Sequence, residues 1–142
     1  MHYVWYITNL YKLIETLQIH RIMNNMTNKE FGSLGEELAC NYLMRNGFRL
    51  LHKNWRQGRY EVDIVALKDS QLHFVEVKTR SSSYIEPQRA VNREKMRHIG
   101  RAAMQYKRFY HLYYPFVIDV VAIVYYNPND YKIKFIPEVN IP

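Results

Sequence analysis

Residues 60–78 read YEVDIVALKDSQLHFVEVK, a pattern that predicts the central hairpin of a β-sheet. Two apolar-rich runs, 60–67 and 72–78, flank a polar tetrapeptide of the length that connects hairpin strands. Aliphatic and aromatic residues that recur with a period of two are typical of β-strands. The stretch therefore predicts two antiparallel strands that lie side by side.

Four charged side chains sit near the ends of these strands, away from the connecting turn. Side chains alternate between the faces of a strand, so Glu76 and Lys78 project together, and Glu61 and Asp63 do the same. Antiparallel pairing would bring the acidic residues of the two strands close to one another. The pattern thus predicts three carboxylates and one ammonium in one place.

Clustered carboxylates repel one another by about 1 kcal/mol or more, so they need a cation. Mg²⁺ takes hard oxygen ligands and uses few protein carboxylates beside water and phosphate oxygens. We expect Asp63 and Glu76 to hold the metal, and Lys78 to orient or deprotonate the attacking water and to offset negative charge in the transition state. The competing interpretation is a surface hairpin with Glu–Lys cross-strand pairs of little energy.

Length and composition limit the classes of protein and of partner that fit this chain. The chain has 142 residues, enough for one domain with its own core, and a formal net charge of +7 that favours a polyanionic partner, nucleic acid before membrane. It has no charge-free apolar run of the roughly 18 residues that an integral membrane segment needs. The single cysteine, Cys40, cannot form an internal disulfide, so a reducing cytoplasm is the expected location.

Periodicity and turn signals predict the other elements. A helix begins at a cap, Thr27 or Asn28, and runs to about 46, before Gly47. The remaining predicted elements, in chain order, are strands at 48–55, 60–67 and 72–78, a helix at 92–111, a doubly buried strand at 116–125 and an edge strand at 131–136. A strand, a helix and a further strand in succession predict a crossover with a parallel pair. The fold class is α/β, with one mixed sheet flanked by helices.

Residues 1–26 are interpreted as an N-terminal extension, and residues 27–142 as a single domain. Apolar residues at helical spacing allow an amphipathic helix in the extension. The interpretation favoured over this helix is a translated leader, or a misassigned start site, that does not belong to the fold. Neither a signal peptide nor a membrane span fits its charged residues.

Several ordered blocks give the chain a family likeness. From 32 to about 124 it resembles the bacterial YraN-like family, a branch of the restriction-endonuclease-like PD-(D/E)xK nuclease superfamily. The matching blocks are Gly35–Ala39, Asn54–Arg56, Gly58–Ala66, Phe74–Arg80 and Asp119–Ala122, with Tyr42, Leu43, Gly47, Pro87, Ala90, Val91, Lys95, Ala102, Ala103 and Tyr106 between them. This resemblance implies a restriction-endonuclease-like αβββαβ core, here with one extra C-terminal strand.

The resemblance also assigns roles. Asp63 corresponds to the first metal-binding carboxylate of the superfamily and Glu76 to the second, with Lys78 as the active-site lysine. Glu36 resembles the helical acid that completes some of these sites, so the implied ligands of Mg²⁺ or Mn²⁺ are Asp63, Glu76 and Glu36. The proline of the superfamily motif is replaced by Val62, which leaves the arrangement of ligands intact.

Basic residues are the candidate nucleic-acid contacts. Those expected near the site are Arg56, Arg59, Arg80, Arg89 and Lys95. The helix at 92–111 also has a basic outer side, which is either a track for a phosphate backbone or a solvated helix face. DNA is favoured over RNA as the ligand, and a homodimer is left open.

Two functions follow from these observations. The first is a metal-dependent endonuclease that hydrolyses phosphodiester bonds of DNA, in repair, recombination or uptake. The alternative is a nucleic-acid-binding module that keeps the nuclease fold with little or no turnover.

For Glu61, an ion pair on the strand surface is favoured over a role as a metal ligand or as a partner of Lys78.

Overall fold

The computed structural model describes residues 25–81, 91–127 and 130–139. Two helices and five strands make up this part of the chain. In chain order they are α1 (Asn28–Arg45), β1 (Arg49–Gln57), β2 (Tyr60–Lys68), β3 (Gln71–Ser81), α2 (Arg93–Phe109), β4 (Phe116–Asn127) and β5 (Asp130–Ile136). Each predicted element is present, and most differ from the prediction by one to three residues at an end.

The five strands form one sheet in the order β1-β2-β3-β4-β5. All neighbours are antiparallel except β3 and β4, which are parallel and are joined through α2. A parallel pair needs a crossover of this kind because a tight turn can only reverse the chain. The predicted mixed sheet flanked by helices, with the αβββαβ order and one further strand, is confirmed.

Local sequence explains where α1 begins and ends. Thr27 is its N-cap, and a capping box joins the Thr27 side chain to the Glu30 backbone and the Glu30 side chain to the Thr27 backbone. Gly47 follows the C-terminal residues with φ +84°, in the left-handed region where glycine has no steric cost. These contacts fix α1 immediately before β1.

The turn between β2 and β3 consists of two residues in the left-handed region. Asp69 and Ser70 have φ values of +50° and +58°, and the flanking Lys68 and Gln71 pair directly. Positive φ at both central positions matches the twist of antiparallel strands. The register of the hairpin is set by this turn.

The sheet has a core on each face. Even-numbered residues of β3, such as Phe74, pack toward α2 with Met96, Ile99 and Tyr106. Odd-numbered ones, such as Val75, pack toward α1, in the cluster that holds Leu43, Ile64, Val121 and Ile123. Both central strands are therefore covered on both sides, as a parallel pair requires.

One buried polar pair lies on the α1 side of the sheet. Asp119 of β4 is fully buried, and one of its oxygens lies 2.6 Å from Nδ1 of His73 on β3. The other oxygen accepts a hydrogen bond from the Glu138 backbone N–H at 2.9 Å. Asp119 thus connects the start of β3 to the segment that follows β5.

Neither described helix combines the length and the apolarity that crossing a bilayer requires. Residues 1–24 and Arg89 lie outside the described residues, so the expectations for the N-terminal extension and for Arg89 remain predictions.

Candidate active site

The site begins where the backbone ladder between β2 and β3 ends. The pairing runs to Ile64 opposite Val75 and includes no residue of β2 before Ile64. Beyond this point the Val77 N–H donates to Oδ2 of Asp63 at 2.8 Å. A side-chain acceptor here replaces a backbone carbonyl. The Asp63 carboxylate is therefore inserted between two strands that have begun to separate.

β1 is irregular next to the same point. Asn54 has φ +51°, a conformation that asparagine tolerates better than most residues, and the β1–β2 register includes no pair between Asn54 and Asp63. Trp55, the next residue, is buried, with its ring centroid 5.2 Å from that of Tyr106 on α2. Asn54 thus places a left-handed residue in β1 at the level of the candidate metal ligand, while the register stays the same on both sides of it.

Glu76 is the most buried carboxylate of the cluster, with 7% of its side chain exposed. Its Oε1 lies 3.5 Å from Nζ of Lys78, and its Oε2 lies 4.0 Å from Nζ of Lys95 on α2. A buried carboxylate needs compensating charge, and two lysines supply it here.

Glu61 occupies the outer rim of the cluster. It forms ion pairs with Arg56 and Lys95, each at 3.5 Å, and half of its side chain is exposed. Pairs this exposed contribute little to stability. Its geometry is that of a strand-surface ion pair, the role favoured by the sequence.

The surroundings of Asp63 disfavour the ionised form of its carboxylate. Burial, followed by the neighbouring Glu76 carboxylate, raises the pKa of Asp63 to about 6, although the Val77 N–H and the Lys95 charge oppose the shift. Both principal causes disfavour the ionised form. A cation bound between the two carboxylates would remove the repulsion.

α1 brings Glu36 to the same place because of a close approach at Gly35. A Cβ on Gly35 would lie 1.9 Å from Oγ1 of Thr79, so only glycine lets α1 lie this close to β3. Glu36, the next residue, then faces the ends of β2 and β3. The close approach of α1 at Gly35 therefore holds Glu36 beside β2 and β3.

All four predicted catalytic residues line one cleft of about 500 Å³. The described residues that line it are Asn28, Phe31, Gly32, Glu36, Glu61, Asp63, Glu76, Val77, Lys78, Thr79, Arg80 and Lys95. Throughout residues 25–81, 91–127 and 130–139, no three His, Cys, Asp or Glu side chains form a ready-made metal cluster. The structure thus brings Asp63 and Glu76 together as a pair and places Glu36 on the cleft wall. Two carboxylates beside open space fit a hexa-coordinate hard cation that keeps several waters.

Replacing Gly35 by alanine is expected to push α1 away from β3. The added methyl group overlaps Thr79, so we expect a loss of about 1–3 kcal/mol in the free energy of unfolding, measured by urea denaturation. Gly32→Ala is the matched control in the same helix, because its Cβ would have no neighbour within 4 Å. Alanine there should stabilise the helix by up to about 1 kcal/mol.

Thr79→Ala should restore part of the stability that Gly35→Ala removes, since it deletes the nearest clashing atom. Equal stability of Gly35→Ala and the wild type would show that α1 does not lie as close to β3 as described.

The predicted nucleic-acid contacts separate into three groups. Arg80 and Lys95 line the cleft. Arg56 pairs with Glu61, and Arg59 lies over the ring of Tyr60, 5.3 Å from its centroid, so these two stand at or outside the rim. Arg89 lies outside the described residues.

Sequence reasoning missed two features of the site. It assigned Lys95 to nucleic acid alone, whereas Lys95 also spans Glu61 and Glu76. It gave no role to Asn54, although asparagine inside a strand pattern is a signal for an irregular backbone.

The profile of "Uncharacterised protein family UPF0102" matches residues 35–123, a span that contains the cleft from Glu36 to Lys95. The chain belongs to this family. UPF0102 is the YraN-like family, within the restriction-endonuclease-like superfamily, and both the observed fold and the resemblance noted in the sequence agree with that membership.

Relatives named "UPF0102 protein" align over most of their length. The one from Bacteroides thetaiotaomicron is 38% identical over 114 residues, which cover 80% of this chain and 93% of the relative. The one from Parabacteroides distasonis is 40% identical over 96 residues, covering 67% and 79%. The one from Clostridium perfringens is 35% identical over 116 residues, covering 78% and 93%.

Proposed function

We propose that this UPF0102 protein is a divalent-metal-dependent nuclease that hydrolyses phosphodiester bonds of DNA. The observation that carries the proposal is the convergence of the Asp63 and Glu76 carboxylates with the Lys78 ammonium in one open cleft. Fold alone does not imply activity, so the proposal depends on this site.

Asp63 and Glu76 would hold Mg²⁺ or Mn²⁺, with Glu36 on the cleft wall as a third ligand. The elevated pKa of Asp63 supports this assignment, because repelling carboxylates gain most from a cation. Such an ion supplies Lewis acidity toward a phosphodiester oxygen and makes water a stronger acid.

Lys78 would act on the reacting atoms. Its side chain is 27% exposed and lines the open cleft, and its ammonium lies 3.5 Å from Oε1 of Glu76. There it can orient the attacking water and stabilise negative charge that develops on the phosphoryl oxygens. Glu76 would thus serve as metal ligand and as the group that positions Lys78.

The basic surface supports a nucleic-acid substrate. Lys95 lines the cleft and also an adjoining depression of about 500 Å³ along α2. That depression is lined by the exposed Arg97 and Arg101 and by His98, whose ring stacks on that of Tyr60. A phosphate backbone bound along α2 would therefore pass Lys95 on its way to the carboxylates.

Lys78→Met is the test of this function. Purified protein with Mg²⁺ or Mn²⁺ should cleave DNA, assayed on duplex, single-stranded, flap and four-way substrates. We expect Lys78→Met to lower the cleavage rate by about 10²–10⁴-fold, the range for losing a charge stabiliser or proton-transfer group. Lys53→Met is the matched control, because Lys53 is a strand lysine paired with Glu37 outside the cleft. Cleavage that is equal in the wild type and Lys78→Met would defeat the mechanism.

A second function, nucleic-acid binding without turnover, is favoured by the ion pairs of Glu76. Lys78 and Lys95 already compensate this carboxylate without a metal. This function predicts salt-dependent DNA binding, with no cleavage and no response to Mg²⁺.

We further propose that residues 27–142 are the nuclease domain, that residues 1–26 are an extension to it, and that the protein acts in the cytoplasm. A homodimer is compatible with the cleft. The molar mass in solution of the full chain and of a variant that begins at Met26 would test both the extension and the dimer.

A further inference from the structure

Lys95 holds an unusual position in the cleft. Its backbone N–H donates to the side chain of Asn92, the N-cap of α2, which fixes the start of the helix. From there its side chain reaches Glu61 on β2 at 3.5 Å and Glu76 on β3 at 4.0 Å. It thus spans the two strands at the level where they separate, beside the carboxylates that would bind a metal.

The net charge of the cleft would change sign if a divalent cation bound there. Four carboxylates, Glu36, Glu61, Asp63 and Glu76, line the cleft with three cations, Lys78, Arg80 and Lys95, which leaves one negative charge when all are ionised. A divalent cation turns this into one positive charge, which matches one phosphodiester group. The same cation repels an ammonium that lies 4.0 Å from its ligand Glu76.

Of the two lysines beside Glu76, Lys95 is better placed to move away from this carboxylate. Lys78 approaches Glu76 more closely, at 3.5 Å, and lies on the same strand. Lys95 belongs to α2, and it lines both the carboxylate cleft and the depression that contains Arg97 and Arg101. Its long side chain can therefore move from one to the other without any movement of the backbone.

We infer that Lys95 is a positioning residue that neutralises Glu76 in the metal-free protein and transfers to a substrate phosphate when a divalent cation binds. The inference rests on the proposed function. It makes metal binding and DNA binding depend on one another through a single side chain, because the metal releases the ammonium that the phosphate then takes up.

Lys95→Met tests this exchange, with opposite effects expected on the two ligands. At pH 8, calorimetric titration of Mg²⁺ should show about tenfold tighter binding than in the wild type, because a nearby positive charge has been removed. DNA binding in Mg²⁺, measured by anisotropy with labelled duplex in a Lys78→Met background, should weaken. The slope of the logarithm of the DNA-binding constant against the logarithm of salt concentration should decrease by about the amount that one phosphate contact contributes.

Lys107→Met is the matched control. Lys107 is on the same helix, but its ammonium lies over the ring of Phe116, 5.7 Å from its centroid, and it does not line the cleft. It should change neither metal affinity nor the salt dependence. Thermal unfolding of each variant would show that the fold is retained.

The outcomes separate this inference from the proposed function. Unchanged or weaker Mg²⁺ binding in Lys95→Met, beside a wild type that binds Mg²⁺, would overturn the exchange and leave the nuclease proposal standing. Tighter Mg²⁺ binding with unchanged DNA binding would overturn it as well. A wild type that binds no divalent metal would overturn the proposed function itself.

Discussion

Replacing Asp63 by asparagine is expected to abolish metal-dependent cleavage and, at the same time, to stabilise the metal-free protein. The amide oxygen can still accept the Val77 N–H, and the amide N–H₂ can donate to Glu76 where two carboxylates now repel each other. A neutral amide is a poor substitute for a carboxylate ligand of Mg²⁺. We expect cleavage to fall by about 10³-fold or more, since removing a metal ligand also removes the electrostatic stabilisation of the transition state.

The gain in stability should depend on pH. Burial and the neighbouring Glu76 carboxylate raise the pKa of Asp63 in the folded state to about 6, above the usual value of 3.8. Between these pH values the folded state holds a proton that the unfolded state has released, so the free energy of unfolding falls as pH rises. The penalty is absent below about pH 4 and complete above about pH 6. Two pKa units correspond to about 3 kcal/mol, and for a partly exposed group we expect about 1–3 kcal/mol.

Urea denaturation of the wild type and Asp63→Asn at pH 4, 6 and 8, without divalent ions, measures this difference. The two proteins should be nearly equal at pH 4, and the variant should be more stable at pH 8. Added Mg²⁺ should raise the melting temperature of the wild type and have little effect on the variant. A variant that is less stable than the wild type at pH 8 would contradict the account of Asp63.

Asp119→Ala should give the largest loss of stability among the substitutions considered. It leaves the Glu138 N–H and the His73 ring without their acceptor on the α1 side of the sheet, and it opens a cavity beside β3. Breaking a buried pair by removing one partner costs about 3–5 kcal/mol. That is a large share of the roughly 5–15 kcal/mol that stabilises a typical domain.

Asp119→Asn is the isosteric control. Its amide oxygen keeps the hydrogen bond from the Glu138 N–H, so we expect a smaller loss of stability, on the order of 1–2 kcal/mol. Chemical denaturation followed by circular dichroism measures both variants. A loss below about 1 kcal/mol for Asp119→Ala would mean that the His73–Asp119 pair does not hold the end of the chain in place.

The elements could be predicted because their signals are local. Thr27 and Gly47 mark the ends of α1 through contacts within a few residues, and the period of two in residues 72–78 assigns successive side chains of β3 to opposite faces of the sheet. The parallel β3–β4 pair follows from the order of elements and the handedness of crossovers. These features need no knowledge of distant parts of the chain.

The finer geometry of the site depends on contacts that no local pattern contains. Alternation predicts that Glu76 and Lys78 share a face, and their 3.5 Å ion pair agrees. It does not predict that Asp63 would replace a backbone carbonyl, because that requires β2 and β3 to separate. The reach of Lys95 depends on where α2 begins relative to the sheet, and the contact of Gly35 with Thr79 depends on how α1 packs on it.

The two-residue turn at Asp69 and Ser70 has a consequence for the order in which the protein assembles. Asp63 and Glu76 belong to a single hairpin, and hairpins close in roughly 1–10 μs. The β3–β4 pair forms more slowly, because the chain between the two strands includes all of α2. The carboxylate pair can therefore meet on a nascent hairpin before either helix docks.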